Sequence, residues 1–363
     1  MMPGPMGPEV RTEAARLSAI FEGLGAQPVD TSILQPADVL LDLYGEDIRA
    51  RAYVTADPLR GEMMLRPDFT VPVVRAHMDE GGDPARYCYA GEVFRRQETD
   101  PDRPIEFLQA GFEIFGGDPA QADAEVFATI ADALEGLDLW PSTGDIGILM
   151  AAVRGLRTSE ARKGALLRHV WRPRRFRALL DRYGARTPLP AQRKALLAAD
   201  DPFEGVGPVL GLRTRIEIET RIATLRDEAR TPPISEEEME LIDMILDLRE
   251  TAPNVLSSLR DIAVDMPAIG DAVARVAARA DAMRARGIDT DALLFEASHG
   301  RSSMEYYDGF VFAFRAASRP DLPSIASGGR YDALTRRLGQ GDEIPAVGGV
   351  MRPGLMLELE VGQ

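Results

Sequence analysis

The segment that most constrains the fold runs from residue 87 to residue 116, with the sequence YCYAGEVFRRQETDPDRPIEFLQAGFEIFG. Two runs of apolar, β-prone residues, one ending at Val93–Phe94 and the other at Phe115, flank a polar loop that holds two aspartates and two prolines. Apolar runs bounded by such a loop are typical of paired strands. The sequence therefore predicts a β-hairpin here.

Three polar side chains of this hairpin could form a binding site. Gln109 and Glu113 lie four positions apart on the second run, so on a strand their side chains point to the same face. Arg95 closes the first run. Because arginine fits a carboxylate or phosphate and a buried carboxylate fits an ammonium, this face could hold a small zwitterion or a nucleotide phosphate. The alternative is an ordinary amphipathic hairpin whose polar face is solvated.

Five sequence blocks, in the expected order, resemble the class II aminoacyl-tRNA synthetases and specifically histidyl-tRNA synthetase. Phe94–Arg95 is similar to the Phe-Arg of motif 2, and EFLQAGFEIFG resembles the family's QFHQLGVEVFG. LRPDFT resembles LRPEGT, EYYDGFVF resembles DYYTGTVFE, GGRYDAL resembles GGRYDGL, and PAVGG resembles the start of motif 3. The blocks cover residues from about 10 to 140 and from about 290 to 360.

The resemblance implies an α+β fold with a class II synthetase-type mixed or antiparallel sheet flanked by helices. Residues 1–153 and 289–363 would form this core, and 154–288 a mostly helical insertion. The middle of the chain supports this division because it is rich in Ala, Arg and Leu, and SEEEMELIDMILDLRE has an acidic start and an apolar stripe from Met239 to Leu248. From Leu293 to Leu359 the pattern again predicts strands.

The resemblance also implies a histidine pocket. The residues that match histidine-contacting positions of the family are Asp68, Thr70, Arg95, Gln109, Glu113, Tyr306 and Tyr307. Asp68 stands where the family has Glu, so this carboxylate is one methylene shorter. A ligand ammonium taken out of water there would be stabilised by Glu113 or Asp68.

The groups that clamp ATP phosphates in the family are altered. Ser302 stands at the position of the catalytic arginine, and Arg301, one residue earlier, would point to the opposite face of a strand. Gln97 replaces the Glu of motif 2, and Arg352 of motif 3 is followed by Pro353. Since loss of one such group commonly costs about 10²–10³ in rate, we expect no efficient adenylation and assign no catalytic residue.

A pocket of this kind without phosphate chemistry resembles the regulatory subunits of ATP phosphoribosyltransferase. Only about ten residues follow motif 3, so the resemblance implies that the anticodon-binding domain is lacking and that tRNA is not bound. It further implies a homodimer through the synthetase-type interface, a hetero-octamer with the short-form catalytic subunit, and histidine as feedback inhibitor of the first step of L-histidine biosynthesis. The alternatives are an active adenylate-forming ligase or truncated synthetase, and a scaffold whose pocket is a relic.

Charge bears on possible partners. With 42 basic and 58 acidic residues the net charge is −16, which argues against nucleic acid as a partner. The stretch 154–194 departs from this balance, with 13 basic residues against Glu160 and Asp181. It predicts either solvated helix faces or a surface that docks an acidic partner or a phosphate-bearing ligand.

The remaining composition gives several negative expectations. The single cysteine, Cys88, excludes an intramolecular disulfide and favours the cytoplasm; its strand-like setting predicts a small buried hydrophobe. No run of 18 apolar residues is present and MMPGPMGPEV lacks the order of a signal peptide, so neither a membrane nor export is expected. The three histidines show no metal-ligand spacing. We therefore expect no metal and no cofactor.

Overall fold

The computed structural model of the chain describes residues 6–44, 51–97, 103–207, 211–299 and 306–361. The strands in this part of the chain are β1 (Gln27–Pro28), β2 (Leu34–Pro36), β3 (Val54–Asp57), β4 (Gly61–Leu65), β5 (Ala85–Phe94), β6 (Glu106–Phe115), β7 (Leu139–Asp145), β8 (Arg249–Thr251), β9 (Leu294–Glu296), β10 (Phe310–Ala316), β11 (Ala326–Arg330) and β12 (Ala346–Met351).

Helices cover both sheet faces and fill the middle of the sequence. They are α1 (Pro8–Gly23), α2 (Ala37–Tyr44), α3 (Thr70–Glu80), α4 (Pro119–Ala133), α5 (Ile146–Gly155), α6 (Glu160–Leu167), α7 (Pro173–Tyr183), α8 (Ala191–Ala198), α9 (Arg215–Arg230), α10 (Glu236–Asp247), α11 (Ala252–Asp265), α12 (Gly270–Ala285), α13 (Asp332–Leu338) and α14 (Pro353–Val361). A 3₁₀ turn, Pro267–Ile269, precedes α12.

The strands form a large and a small sheet. The large sheet has the order β1-β5-β6-β12-β11-β10-β7-β9-β8, and the small one the order β2-β4-β3. In the large sheet β1 pairs with β5 and β7 with β9 in parallel, and the other neighbours are antiparallel. The predicted α+β fold with a mixed, mainly antiparallel sheet flanked by helices is thus confirmed.

The hairpin predicted from the sequence is formed by β5 and β6, which pair so that Gly91 faces Gln109 and Tyr87 faces Glu113. The alternation of a strand places Phe112 and its like-facing neighbours in an apolar cluster with residues of α4. Gln109 and Glu113 are 0% and 1% exposed. The alternative of a solvated polar face is therefore wrong.

The middle of the chain contains several helices and also supplies a strand. In α10 the Ser235 side chain caps the first turn, and Met239, Ile242 and Ile245 are buried. The helix ends at Asp247, because the chain then extends into β8, which pairs antiparallel with β9 at the sheet edge. Leu248, predicted to continue the apolar stripe, lies at the end of the helix.

Arginines of the basic stretch pair with acids from later helices. Arg177 and Arg186 both bond to Asp243 on α10, and Arg182 bonds to Glu228 on α9. These charges come from distant sequence positions, so a count within 154–194 could not include them. The prediction of solvated helix faces is therefore incomplete, because some of these arginines form ion pairs with acidic residues of the same helical segment.

The part of the chain from Leu293 to Leu359 differs from the predicted run of strands, because α13 lies between β11 and β12 and α14 follows β12. After β12 the chain forms α14, with Pro353 at its first position, where a proline is tolerated. Met356 and Leu359 are buried, and their spacing of three fits one face of a helix better than a strand.

Two negative findings concern the described residues. None of their helices has the length and apolar character needed to cross a bilayer. They also contain no cluster of His, Cys, Asp and Glu suited to a metal ion. Cys88 is fully buried on β5, as predicted, and burial raises the pKa of its thiol to about 11.

Candidate functional site

A buried carboxylate lies at the centre of the candidate site. Glu113 Oε1 accepts hydrogen bonds from the hydroxyls of Tyr89 at 2.8 Å and Thr70 at 3.3 Å, and Oε2 accepts one from the hydroxyl of Tyr331. Burial raises the pKa of Glu113 to about 7, although the three hydroxyl donors act against this rise. The group therefore changes between a neutral acid and an anion near neutral pH.

A glycine of β12 provides the space for this carboxylate. Gly348 pairs directly with Glu113, and a Cβ atom added to it would lie 1.4 Å from Glu113 Oε2. Any residue with a Cβ atom at position 348 would displace the Glu113 carboxylate. The PAVGG block therefore has a structural role at the site.

Several predicted residues meet around Glu113. The Tyr306 hydroxyl donates to Thr70 Oγ1 at 3.4 Å, and the ring centroids of Tyr306 and Tyr307 are 4.8 Å apart. Asp68 is 4% exposed and its charge contributes to the raised pKa of Glu113. Burial and the Glu113 carboxylate raise the pKa of Tyr307 above its ordinary value. These residues thus form one connected set of buried polar groups.

Gln109 is placed differently. Its side chain is completely buried, and neither its amide nitrogen nor its amide oxygen has a hydrogen-bond partner among the described residues. Buried amides are nearly always paired, and leaving one unpaired costs about 1–3 kcal/mol. This amide can therefore bind a polar group of a ligand on the same strand face as Glu113.

The two arginines attributed to motifs 2 and 3 come together at a neighbouring cavity of about 770 Å³. Its charged lining residues are Arg51, Arg95, Arg96, Arg103, Arg319, Arg352, Asp321 and Glu358. Arg95 Nε donates to the carbonyl oxygen of Pro67 at 2.8 Å, next to Asp68, and Arg352 donates to the carbonyl oxygen of Ser324. Burial and nearby arginines lower the pKa of Arg352 to about 9. The surplus of cations suits an anion.

The segment 306–309, which contains two of the tyrosines, is tied to its surroundings by hydrogen bonds. The Asp308 amide donates to the carbonyl oxygen of Arg330 at 3.0 Å, and the Asp308 carboxylate accepts from the amides of Asp332 at 3.1 Å and Ala333 at 2.7 Å. Burial, followed by the charge of Asp332, raises the pKa of Asp308 to about 7. Asp308 thereby fixes Tyr307 relative to Tyr331.

Behind Tyr331 lies a buried network of charges. Arg330 donates to Asp123, and Arg279 on α12 donates to Asp123 at 3.1 Å and to Asp145 at 2.8 Å. Arg330 also donates to Asp332 at 2.9 Å. Each carboxylate of this network has an arginine partner, as buried charges require. The network fixes the start of α13 to α4 and α12.

Tyr89 and Tyr331 both contact Glu113 but are not among the site residues predicted from the sequence. Tyr331 lies inside the GGRYDAL block, so the signal for it was present. Tyr89 lies on the predicted strand that ends at Phe94. It pairs with Gly111, which is midway between Gln109 and Glu113, so strand alternation places its side chain on their face of the sheet. Trp171, whose indole contacts the backbone of Tyr307, had no sequence signal.

Arg301 and Ser302, where the phosphate-clamping arginine was predicted to be lost, lie outside the described residues. Gln97 is described, and its amide donates to the carbonyl oxygen of Pro104 at 3.0 Å.

Comparison with known sequences gives two consistent results. A family model described as Histidyl-tRNA synthetase matches residues 8–205 and 218–353. Proteins named ATP phosphoribosyltransferase regulatory subunit from Brucella canis and Brucella suis biovar 1 are each 33% identical over 365 residues. The alignments cover 92% of this chain in both cases, with 95% of the first relative and 94% of the second.

Solved structures share the fold. A chain named ATP phosphoribosyltransferase regulatory subunit/histidyl-tRNA synthetase from Bacillus halodurans superposes with a TM-score of 0.69 at 19% identity, covering 99% of this chain and 81% of that one. A histidyl-tRNA synthetase from Nostoc gives a TM-score of 0.64 at 18% identity, covering 97% and 72%. The class II synthetase-type fold predicted from the sequence is thus confirmed.

Proposed function

This chain belongs to the family of ATP phosphoribosyltransferase regulatory subunits, and from that premise we propose that it senses histidine on behalf of a catalytic partner. The partner is a short-form ATP phosphoribosyltransferase, which needs this chain for activity. Histidine bound to the regulatory chain inhibits the complex, so that the first step of L-histidine biosynthesis is under feedback control. The family named by the curated relatives supports the pairing with the catalytic subunit.

The observation that supports histidine as the effector is the combination of Glu113 with Gln109. A carboxylate that becomes an anion near pH 7 can pair with an ammonium or imidazolium, and the unpartnered Gln109 amide can bond to a second polar group. Asp68, Thr70, Arg95, Tyr306 and Tyr307 complete the proposed pocket. Because an amino acid presents a cation and a carboxylate at fixed separation, a small zwitterion matches this set of groups.

We propose no catalytic role for the pocket. Gln97 stands where the family has a glutamate, and its amide is engaged by the Pro104 carbonyl. Arg352 is directed to the carbonyl of Ser324. These two groups support the loss of adenylation, which histidine-dependent exchange of pyrophosphate into ATP by the isolated chain would contradict.

Assembly forms the next part of the proposal: a homodimer through the synthetase-type interface, and a hetero-octamer with the catalytic subunit. Leu59, in the turn between β3 and β4 of the small sheet, is 92% exposed, and a dimer contact there would remove this apolar side chain from water. Light scattering of the isolated chain and of the complex tests both states.

The division of the chain and its location complete the proposal. Residues 1–153 and 289–363 form the synthetase-like core, and 154–288 the helical insertion. A location in the cytoplasm fits a biosynthetic enzyme subunit with one buried thiol.

Reconstitution tests the proposed function. The chain is mixed with a short-form catalytic subunit from the same organism, and phosphoribosyl-ATP formation is followed with and without histidine. We expect activity only in the mixture, and inhibition by histidine. Activity that ignores this chain would contradict the partner assignment.

Glu113→Ala locates the sensor. We expect weaker inhibition by histidine with assembly intact, because the substitution removes the carboxylate at the centre of the pocket. Glu9→Ala, at an exposed position in the first turn of α1, is the matched control and should leave inhibition unchanged. Inhibition that survives Glu113→Ala unchanged would move histidine to another site, such as the contact with the catalytic subunit.

A further inference from the structure

Trp171 connects the helical segment to the wall of the pocket. It lies in the turns between α6 and α7, and its indole Nε1 donates a hydrogen bond of 2.9 Å to the carbonyl oxygen of Tyr307. The indole is half-buried and packs against the apolar cluster that also contains Tyr306 and Tyr307. A residue 136 positions away in sequence thus contacts the backbone of the pocket.

The neighbours of Tyr307 are bonded to the core. The amide of Asp308 donates to the carbonyl oxygen of Arg330 at 3.0 Å, and the carbonyl oxygen of Gly309 accepts from the amide of Ile146 at 2.9 Å. The bond from Trp171 differs from these because it comes from the helical segment. A displacement of the Tyr307 backbone therefore changes the length of a bond to that segment.

Trp171 is also connected to α7 and α10. The amide of Arg172 donates to His169, and the amide of Phe176 donates to Arg172, so the turn runs directly into α7. On α7, Arg177 bonds to Asp243 of α10. The turn that holds the indole is thereby joined to α7 by backbone hydrogen bonds, and α7 is joined to α10 by the pair of Arg177 with Asp243.

We propose that Trp171 is a positioning residue through which occupancy of the pocket is transmitted to α7 and α10. This inference rests on the proposed function, with histidine as the occupant, and it specifies the route of regulation. Histidine bound beside Glu113 contacts the wall formed by Tyr306 and Tyr307 and shifts its position. The free energy by which histidine shifts the complex from its active to its inhibited arrangement equals the difference between the binding free energies of histidine for the two arrangements.

Fluorescence provides the first test, because the chain has two tryptophans. Trp140 is 70% exposed, so Trp140→Phe leaves Trp171 as the single tryptophan of the full chain, whose emission is followed without the catalytic subunit and then with it. We expect its emission to change on titration with histidine, with the same half-saturation as the dissociation constant from calorimetry. Emission that stays constant while calorimetry records binding would overturn the proposal.

Trp171→Phe provides the second test, since phenylalanine fills part of the space but cannot donate the hydrogen bond. In the reconstituted complex we expect the dissociation constant of histidine to change by less than about threefold and its inhibition constant to rise at least about fivefold, the lower end of usual allosteric couplings. Trp140→Phe is the matched control and should leave both constants unchanged.

The outcomes separate this inference from the proposed function. Unchanged inhibition in Trp171→Phe overturns the transmission route. An inhibition constant that rises in the same proportion as the dissociation constant also overturns it, because Trp171 would then only hold the pocket together. If Glu113→Ala weakens inhibition as expected while Trp171→Phe does not, only this inference fails. If the wild-type complex binds no histidine, both fail.

Discussion

Arg330 donates two hydrogen bonds to the same carboxylate oxygen of Asp123, one from Nη2 at 2.7 Å and one from Nε at 3.0 Å. Both side chains are almost fully buried, and Tyr331, which donates to Glu113, follows Arg330 directly in the chain. The position of a pocket hydroxyl therefore depends on an ion pair that no ligand would contact.

Replacement of Arg330 by methionine should destabilise the fold strongly. It leaves Asp123 with only Arg279 and removes a partner of Asp332, and breaking a buried pair in this way typically costs about 3–5 kcal/mol. Urea denaturation should show this fall in the free energy of unfolding. Arg249→Met is the matched control, because Arg249 is exposed and pairs with Glu296 at the sheet edge; its effect should stay below about 1 kcal/mol. An equal fall in the free energy of unfolding in both variants would contradict the stabilising role of the buried Arg330–Asp123 pair.

Gln109→Met should stabilise the free chain and weaken histidine binding at once. The substitution removes a buried amide without partners, whose desolvation costs about 1–3 kcal/mol, and retains a side chain of similar length. Thermal unfolding and calorimetry with histidine measure the two effects.

The control for this variant is Gln192→Met on the exposed surface of α8, which should change stability by less than about 0.5 kcal/mol. If Gln109→Met lowered stability instead, the amide would have a partner in the free protein, and its availability to a ligand would be disproved.

Stability should fall as the pH rises toward and through neutrality. The folded chain holds a proton on Glu113 up to a pKa of about 7, whereas the ordinary value is 4.5. Between these values the folded state binds more protons than the unfolded state, so the free energy of unfolding decreases with pH, by up to about 3 kcal/mol from this group. Urea unfolding at a series of pH values from 5 to 8 measures the slope.

Glu113→Gln should reduce this slope, since glutamine does not titrate. A smaller slope of the same sign should remain, because Asp308 also has a pKa raised to about 7 from 3.8. A slope of the opposite sign, or one that Glu113→Gln leaves unaltered, would show that Glu113 is ionised in the folded chain well below neutrality.

Cys88 should resist thiol reagents in the native protein. Burial raises its pKa to about 11, so at neutral pH its thiolate fraction is about 10² lower than that of an ordinary cysteine thiol. Labelling followed by absorbance should be slow and should accelerate in urea as the fold opens. Rapid labelling without denaturant would mean that β5 is accessible in the folded state.

Most of the fold was predictable because its signals are local. The hairpin of β5 and β6 and the helix α10 both follow from periodicity and turn residues within about thirty positions. The strand β8 was not predictable, because three residues between two helices give no periodic pattern. The C-terminal helix α14 was missed because its short apolar segment fits either a strand or a helix.

The site was predictable only in part, for a different reason. Gln109 and Glu113 share one strand, so their common face follows from the alternation of side chains. The contacts of Glu113 with Tyr331 and of Trp171 with Tyr307 join positions 218 and 136 apart. Such pairings are set by the order of strands in the sheet, which one sequence does not specify.

The order of the large sheet has a consequence for synthesis on the ribosome. Strand β12, which closes the sheet between β6 and β11, contains residues 346–351, so it is made after both strands that it joins. Until it is inserted, β6 and β11 expose unpaired edges, which are prone to aggregation, and Glu113 lacks Gly348 beside it. A nascent chain stalled before residue 346 should therefore require a chaperone, and an effector could be recognised only after β12 has been made.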